Sequence, residues 1–292
     1  MQSHRPTTKI IVGAALALAF TFTAQAQNSR SFVATTGNDA NNCSASQYCR
    51  TIARALAVTN AGGEIVVVDS GGYGPVTISQ PVVITAIGID ASITATSGDA
   101  LDINTTGNVT ITGLNLNGAG RLIGIGVHVA AVGLLRLYNM QIQNFGVGID
   151  FEATSSLAVY DSEINDCADG ILQASGGQVS VSNTELDNDG IGAYAAAGTM
   201  TIADSSVHYN GIGFFANGGK VSLKNDRVIF NETGIDAFDG GALYFADCLI
   251  FGNTTSYSIG TGSTIMASSP GTSLITPGQS STGTLGTAIT LK

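Results

Sequence analysis

The chain has 292 residues, of which only 11% are charged and 38 are glycine. That composition supplies many turns and little long polar helix, and it disfavours coiled coils and helical bundles. Lys and Arg number 11 against 21 Asp and Glu, and Trp is absent, so no nucleic-acid partner is expected, because neutralising phosphates needs a basic patch.

At the N-terminus, Arg5 and Lys9 precede an apolar run from Ile10 to Phe20, and Ala24, Gln25 and Ala26 form an A-x-A pattern. This reads as a secretory signal peptide, residues 1–26, cleaved near Ala26. The apolar run is well short of the roughly 20 residues that a spanning helix needs, so no membrane span is expected. The mature chain from Gln27 then holds 9 basic and 21 acidic residues, a net charge of −12, and is secreted or periplasmic. In an oxidising compartment Cys43 and Cys49, with five residues between them in a short polar loop, are expected to form a disulfide. Cys167 and Cys248 fall at different phases of the repeat described next and read as separate half-buried thiols. No His or Cys cluster has zinc spacing.

From residue 109 one pattern recurs: two alternating apolar positions, a small polar residue and a further apolar pair. Its starts are Val109, Leu135, Leu157, Val179, Met200, Val221 and Leu243, at spacings of 26, 22, 22, 21, 21 and 22. The widest spacing is an insertion around Arg121. A second landmark, a Gly followed by an apolar residue, keeps the same beat at Gly126, Gly148, Gly170, Gly192, Gly213 and Gly234. A period of this length signals a solenoid. Each level contributes apolar residues to four columns, exemplified by Leu157, Val159, Ile164 and Ile171, which predicts one elongated core with no internal domain boundary. Three short strands per turn, at levels roughly 4.8 Å apart, make a single-stranded parallel β-helix, an all-β solenoid of about nine coils of 21–22 residues and roughly 43 Å. Leucine-rich repeats share the period but need Leu and Asn at positions these coils do not supply. A polar column, Asn139, Asp161, Asn183, Asp204, Asn225 and Asp247, suits a sharp turn, since Asn and Asp tolerate the left-handed conformation and can bond one another.

These residues resemble the right-handed parallel β-helix repeat proteins of the pectin-lyase-like superfamily. The resemblance runs from about Ser31 through the seventh repeat. It includes VATTGNDANNCSASQYCRTIARALA (33–57), which is similar to the opening of exported bacterial members of unassigned function, where a disulfide loop and a short helix cap the first coil. Thr51 to Val58, apolar at Ile52, Leu56 and Val58, suits that helix. The expected division is therefore a disulfide loop with capping helix (27–63), the β-helix (64–267) and a Ser/Thr/Gly-rich segment (268–292) that is either a loose tail or an extended segment laid along the rod.

The resemblance implies that any active cleft lies on the strand before the most variable turn, here the strand after the repeated Gly. Its outward positions include His128, Asp150, Tyr194, Phe215 and Asp236 in one column and Glu152, Asn217 and Phe238 in the next. Asp150 and Glu152 point the same way, roughly 7 Å apart along a strand, within the range of an inverting glycosidase pair, and His128 is one level away. These three are the catalytic candidates. Tyr194, Phe215, Asp236 and Asn217 are the substrate-binding candidates, the two rings offering an apolar face to a sugar. An alternative face lies on the strand after the polar turn, with Glu185, Asp187, His208 and Arg227, in which the resemblance to lyases implies calcium-bound carboxylates beside a proton-removing Arg. No cofactor is expected; carboxylates can ligate calcium, but no loop has a dedicated calcium spacing. The superfamily's Gly-His-Gly, Asp-Asp and Asp-Pro-His enzyme motifs are missing, and Asn183-Thr184-Glu185 only imitates Asn-Thr-Asp, since Asn183 belongs to the turn column. The residues favour a non-enzymatic, carbohydrate-interacting or scaffold protein, with a polysaccharide lyase or glycoside hydrolase acting on an acidic polysaccharide as the alternative.

Overall fold

The computed structural model describes residues 27–268 except Arg121, then 273–276 and 281–289, the last three as backbone alone. The signal-peptide segment and the centre of the insertion at Arg121 lie outside the described residues. The rest is a parallel β-solenoid of three sheets. Each full coil gives one strand to a leading sheet of 12 strands, one to a middle sheet of 10 and one to a post-glycine sheet of 9. One coil illustrates the route: Ser156–Tyr160 in the leading sheet, Glu163–Asn165 in the middle sheet and Asp169–Gln173 in the post-glycine sheet.

The apolar columns align level upon level. Leu135 pairs with Leu157, Leu157 with Val179 and Val179 with Met200, and each is at most 2% exposed. Burying one such side chain contributes roughly 1.5–3 kcal/mol, and the repetition along the rod joins them into one core. The repeated Gly has a packing cause. A Cβ on Gly148 would lie 2.5 Å from the carbonyl oxygen of Gly170, and one on Gly213 would lie 2.5 Å from that of Gly234. Only a residue without a side chain lets successive coils come this close.

The polar turn column joins the leading to the middle sheet. Asn139, Asp161, Asn183, Asp204, Asn225 and Asp247 all have φ between 48° and 59°, and Asn183 Nδ2 donates to Asp161 Oδ1 at 2.7 Å. A second left-handed column, between the middle and post-glycine sheets, holds Asn144, Asp166, Asn188, Tyr209 and Phe230. Just after it a ladder runs inside the rod. Backbone N–H groups of Cys167, Asp189, Asn210 and Asn231 donate to the side-chain oxygens of Asp189, Asn210, Asn231 and Asn253 at 2.7–2.9 Å. These turn amides would otherwise be buried without partners.

The N-terminal end is covered. Ile52–Val58 is a helix whose N-cap, Thr51, accepts from the backbone N–H of Arg54 at 3.0 Å, and Ile52, Ala55 and Leu56 are buried. Cys43 and Cys49 are joined, with Cα atoms 4.8 Å apart. Their loop is tied to the first strand by Phe32 N–H to Cys43 O at 2.8 Å and Cys49 N–H to Phe32 O at 3.0 Å. Covering this end removes strand edges from exposure. Cys167 and Cys248 are free and fully buried rather than half-buried, because each faces the interior at a turn. Beyond Ser268, Leu274–Ile275 pairs in parallel with the middle sheet and Gly286–Ile289 with the leading sheet.

Candidate functional site

The post-glycine sheet carries its outward residues in strict register. Asp102, His128, Asp150, Leu172, Tyr194, Phe215, Asp236 and Ser258 are successive partners along one column. His128 is the centre of a cluster at one end. Its Nδ1 lies 3.1 Å from Asp102 Oδ1 and 3.8 Å from Asp99 Oδ2, and its Nε2 lies 3.5 Å from Glu152 Oε2. Burial pulls the imidazolium down, but hydrogen bonds to Asp102 and Glu152 and the charges of Asp99 and Asp102 outweigh it, so His128 is held above its ordinary pKa. In its charged form it donates from both nitrogens.

Asp150 pairs with His128 on the adjacent strand, as the spacing predicts, but it is not solvent-facing. It is 9% exposed and its Oδ1 is buried with no hydrogen-bond partner. Burial first, then the charge of Glu152, pushes its pKa up, while His128 pulls the other way. Glu152, in contrast, is exposed. Two carboxylates in unlike environments therefore stand beside one imidazole. Asp169, in the next coil, is also pushed up by burial.

Two levels beyond Asp150, Tyr194 and Phe215 pack with ring centroids 5.0 Å apart and planes inclined by 35°. Each ring covers part of the other, so the sugar-facing surface is smaller than two free rings would give. Asn217 Nδ2 donates to the Tyr194 hydroxyl at 3.1 Å and thereby fixes that ring. Asp236 follows Phe215. Burial pushes its pKa up against hydrogen bonds from Ser258 and the Ala237 N–H, and its Oδ1 is buried without a partner.

On the middle-sheet face the acids are met by His208. His208 lies 2.6 Å from Glu185 Oε1 through Nε2 and 2.9 Å from Asp187 Oδ1 through Nδ1; the second is a close charge contact outside hydrogen-bond alignment. Asp187 is the direct strand partner of His208. Arg227 is two levels from Glu185, with Ser206 between them, so His208, not Arg227, engages the two acids. Arg227 lines the end of a polar groove of about 600 Å³ that follows the turn from leading to middle sheet past Asn139, Glu163 and Glu185.

Asp99, Asp102 and Asp169 belong to the first cluster and were not singled out by sequence reasoning. The alternation Leu101-Asp102-Ile103 is the signal that places Asp102 outward, one coil before the regular repeats. Among the described residues, no three His, Cys, Asp or Glu side chains are grouped so as to hold a metal ion, and no helix is long and apolar enough to cross a membrane.

No protein-family model and no curated protein matches the sequence. The fold is matched by solved structures. A structure described as the crystal structure of pectate lyase Pel9A aligns over 86% of this chain and 78% of its own, with a TM-score of 0.64 and 14% identity. One described as the complex structure of XylC with xylose aligns over 82% and 69%, with a TM-score of 0.61 and 11% identity. At these identities the likeness is one of fold, a parallel β-solenoid consistent with the pectin-lyase-like right-handed β-helix.

Proposed function

We propose that this protein is an exported carbohydrate-binding β-helix whose binding lane is the outward face of the post-glycine sheet, and that it holds a glycan without turning it over. The observation that carries the reading is the single column that holds His128 and Asp150, then, past Leu172, the Tyr194–Phe215 pair and Asp236. Parallel coils hold such side chains at fixed spacing, which suits a ligand that is itself an extended repeat. Fold neighbours whose names refer to pectate and xylose support a carbohydrate ligand, and the Cys43–Cys49 disulfide supports an oxidising compartment.

Binding is favoured over turnover because both His128 nitrogens are engaged by carboxylates, leaving the imidazole no free nitrogen with which to take a substrate proton. The test is a glycan array on the mature protein, followed by the Tyr194→Ala, Phe215→Ala double variant. Array binding that falls in the double variant supports the lane; unaltered binding, with loss instead on changing Glu185 or Arg227, moves the site to the middle sheet. A second reading, a polysaccharide lyase or glycoside hydrolase, is favoured by the raised Asp150 carboxyl beside the exposed Glu152, two acids whose environments divide their roles. It requires new chain ends or unsaturated products from a glycan that binds, abolished by Asp150→Asn or Glu152→Gln.

A further inference from the structure

The charge on the lane is opposite to what an acidic polysaccharide requires. Among the described residues, the nine strands of the post-glycine sheet contain no Lys or Arg, and they contain Asp102, Asp150, Asp169 and Asp236. Asp99 and Glu152 flank them, and His128 is the single basic side chain. One imidazolium shared among Asp99, Asp102 and Glu152 leaves the lane strongly negative, and a uronate carboxylate placed there would meet like charge at short range.

A second observation points to what is missing. Asp150 is only 9% exposed, lies beside His128 and Glu152, and has a buried Oδ1 that nothing donates to. Four levels along, on the other side of the Tyr194–Phe215 pair, Asp236 Oδ1 is likewise buried and unpartnered. An orphaned buried carboxylate oxygen costs free energy that a donor, and above all a charged one, recovers. The two acceptors are about 19 Å apart along the rod, at roughly 4.8 Å per level, and the carboxylates are strung out along the sheet rather than converging on one point, an arrangement that fits several cationic groups on one extended chain.

We propose that the lane selects a glycan bearing free amines, an oligomer of hexosamine units whose ammonium groups donate to Asp150 with Glu152 at one end and to Asp236 at the other, while the Tyr194–Phe215 pair supports a sugar ring between them. The inference rests on the reading of this face as a glycan lane and names its substrate class. An ammonium has three donors, enough to satisfy Asp150 Oδ1 and a neighbouring carboxylate together, and acetylation would remove the charge and all but one of the donors.

The test is titration calorimetry of the mature protein with three probes: a glucosamine oligomer and its fully N-acetylated counterpart, both in chelator, and a galacturonate oligomer with and without calcium. The glucosamine oligomer is expected to bind more tightly than the acetylated one by about tenfold or more, to weaken as salt is raised, and to lose that preference in the Asp150→Asn, Asp236→Asn double variant. These amides keep shape, and circular dichroism on the same samples verifies the fold. Equal or tighter binding of the acetylated oligomer overturns the amine selectivity; if that binding falls in the Tyr194→Ala, Phe215→Ala variant, the glycan lane itself stands. Galacturonate binding in calcium, without glucosamine binding, overturns the inference in favour of an acidic substrate. Failure of every oligomer to bind overturns the lane and the inference with it.

Discussion

Asp189→Asn is expected to stabilise the rod, by an amount that grows as the pH rises. Asp189 is 3% exposed and occupies the ladder position that Asn210, Asn231 and Asn253 occupy in the following coils. Those three amides each do two things: the oxygen accepts from the backbone of the coil before, and Nδ2 donates to a main-chain carbonyl, Leu186 O, Val207 O or Val228 O, at 2.9–3.1 Å. Asp189 does the first through Oδ1, which accepts from Cys167 N–H at 2.7 Å. It cannot do the second, and its Oδ2 is buried without a partner. By register the carbonyl it faces is that of Ile164, the strand partner of Leu186. Burial, with the charges of Asp187, Asp166 and Asp169 adding to it against the Cys167 N–H, pushes the Asp189 carboxyl up to about 8. A carboxyl whose folded pKa is raised holds its proton more tightly in the folded chain. Its contribution is therefore fully present below the unfolded value of 3.8 and is lost progressively as the pH climbs towards about 8. At 1.36 kcal/mol per unit, the loss at pH 7 is up to about 4 kcal/mol. Denaturant midpoints of wild type and variant, taken from about pH 4 to about pH 8, should nearly coincide at the acidic end and separate in favour of the variant at the alkaline end. A variant no more stable than wild type at the alkaline end, or a difference independent of pH, would refute the reasoning.

Val181→Asp should unfold the rod, because Val181 is 1% exposed in the middle of the leading sheet and an unpaired charge there costs more than about 4 kcal/mol; a native circular dichroism melt would show the strand facing to be wrong. Mass spectrometry of unreduced peptides should find Cys43 and Cys49 linked and Cys167 and Cys248 as thiols, the linked pair being contradicted if both peptides carry free thiol. Gly113→Ala should cost about 2 kcal/mol or more, because φ is +78° and the new Cβ would meet the Ala86 carbonyl oxygen at 1.9 Å. Gly88→Ala, also at positive φ but with open space around the Cβ, should cost about 1 kcal/mol, and equal losses for the two would remove the steric part of that account.

The columns were legible because a solenoid asks for the same physics at the same phase of every coil: Leu157, Val179 and Met200 are interchangeable inward residues, and Asn139, Asp161 and Asn183 are interchangeable turn residues. The signal faded where residue type and environment part company. Phe145, Cys167, Asp189, Asn210, Asn231 and Asn253 form one buried column, but it changes from apolar to polar along the rod, so no single residue type marks it. Tyr209 and Phe230 sit at φ 57° and 59°, positions that Asn144, Asp166 and Asn188 fill in earlier coils, and aromatic residues give no hint of a left-handed turn. Asp99 and Asp102 precede the regular repeats, so the acid cluster around His128 was only half visible. His208 rather than Arg227 engages Glu185 and Asp187 because contact follows adjacency of levels, and Arg227 is one level too far along.

An acidic rod must display carboxylates somewhere, and solubility alone would account for acids scattered over all three faces. Their distribution is not of that kind. Across the leading sheet, from Asn108–Thr112 through Thr264–Ser268, no strand contains an Asp or Glu, and the outward column runs Thr110, Arg136, Ala158, Ser180, Thr201, Ser222 and Tyr244. The middle sheet mixes signs: Glu163 and Glu185 are direct strand partners, a like-charge pairing that is unfavourable by itself, and His208 and Arg227 lie in the coils that follow. Among the described residues, only the post-glycine sheet concentrates acids without Lys or Arg, and it does so on the face that also carries the packed aromatic pair. Self-repulsion on that face weakens the folded rod unless something cationic lies against it. A salt series therefore separates two origins of the acidity. If the lane is built to take a cation, raising salt should stabilise the free protein and weaken the glucosamine complex together. Were the acids mere solubilising charge, the first effect would appear without the second.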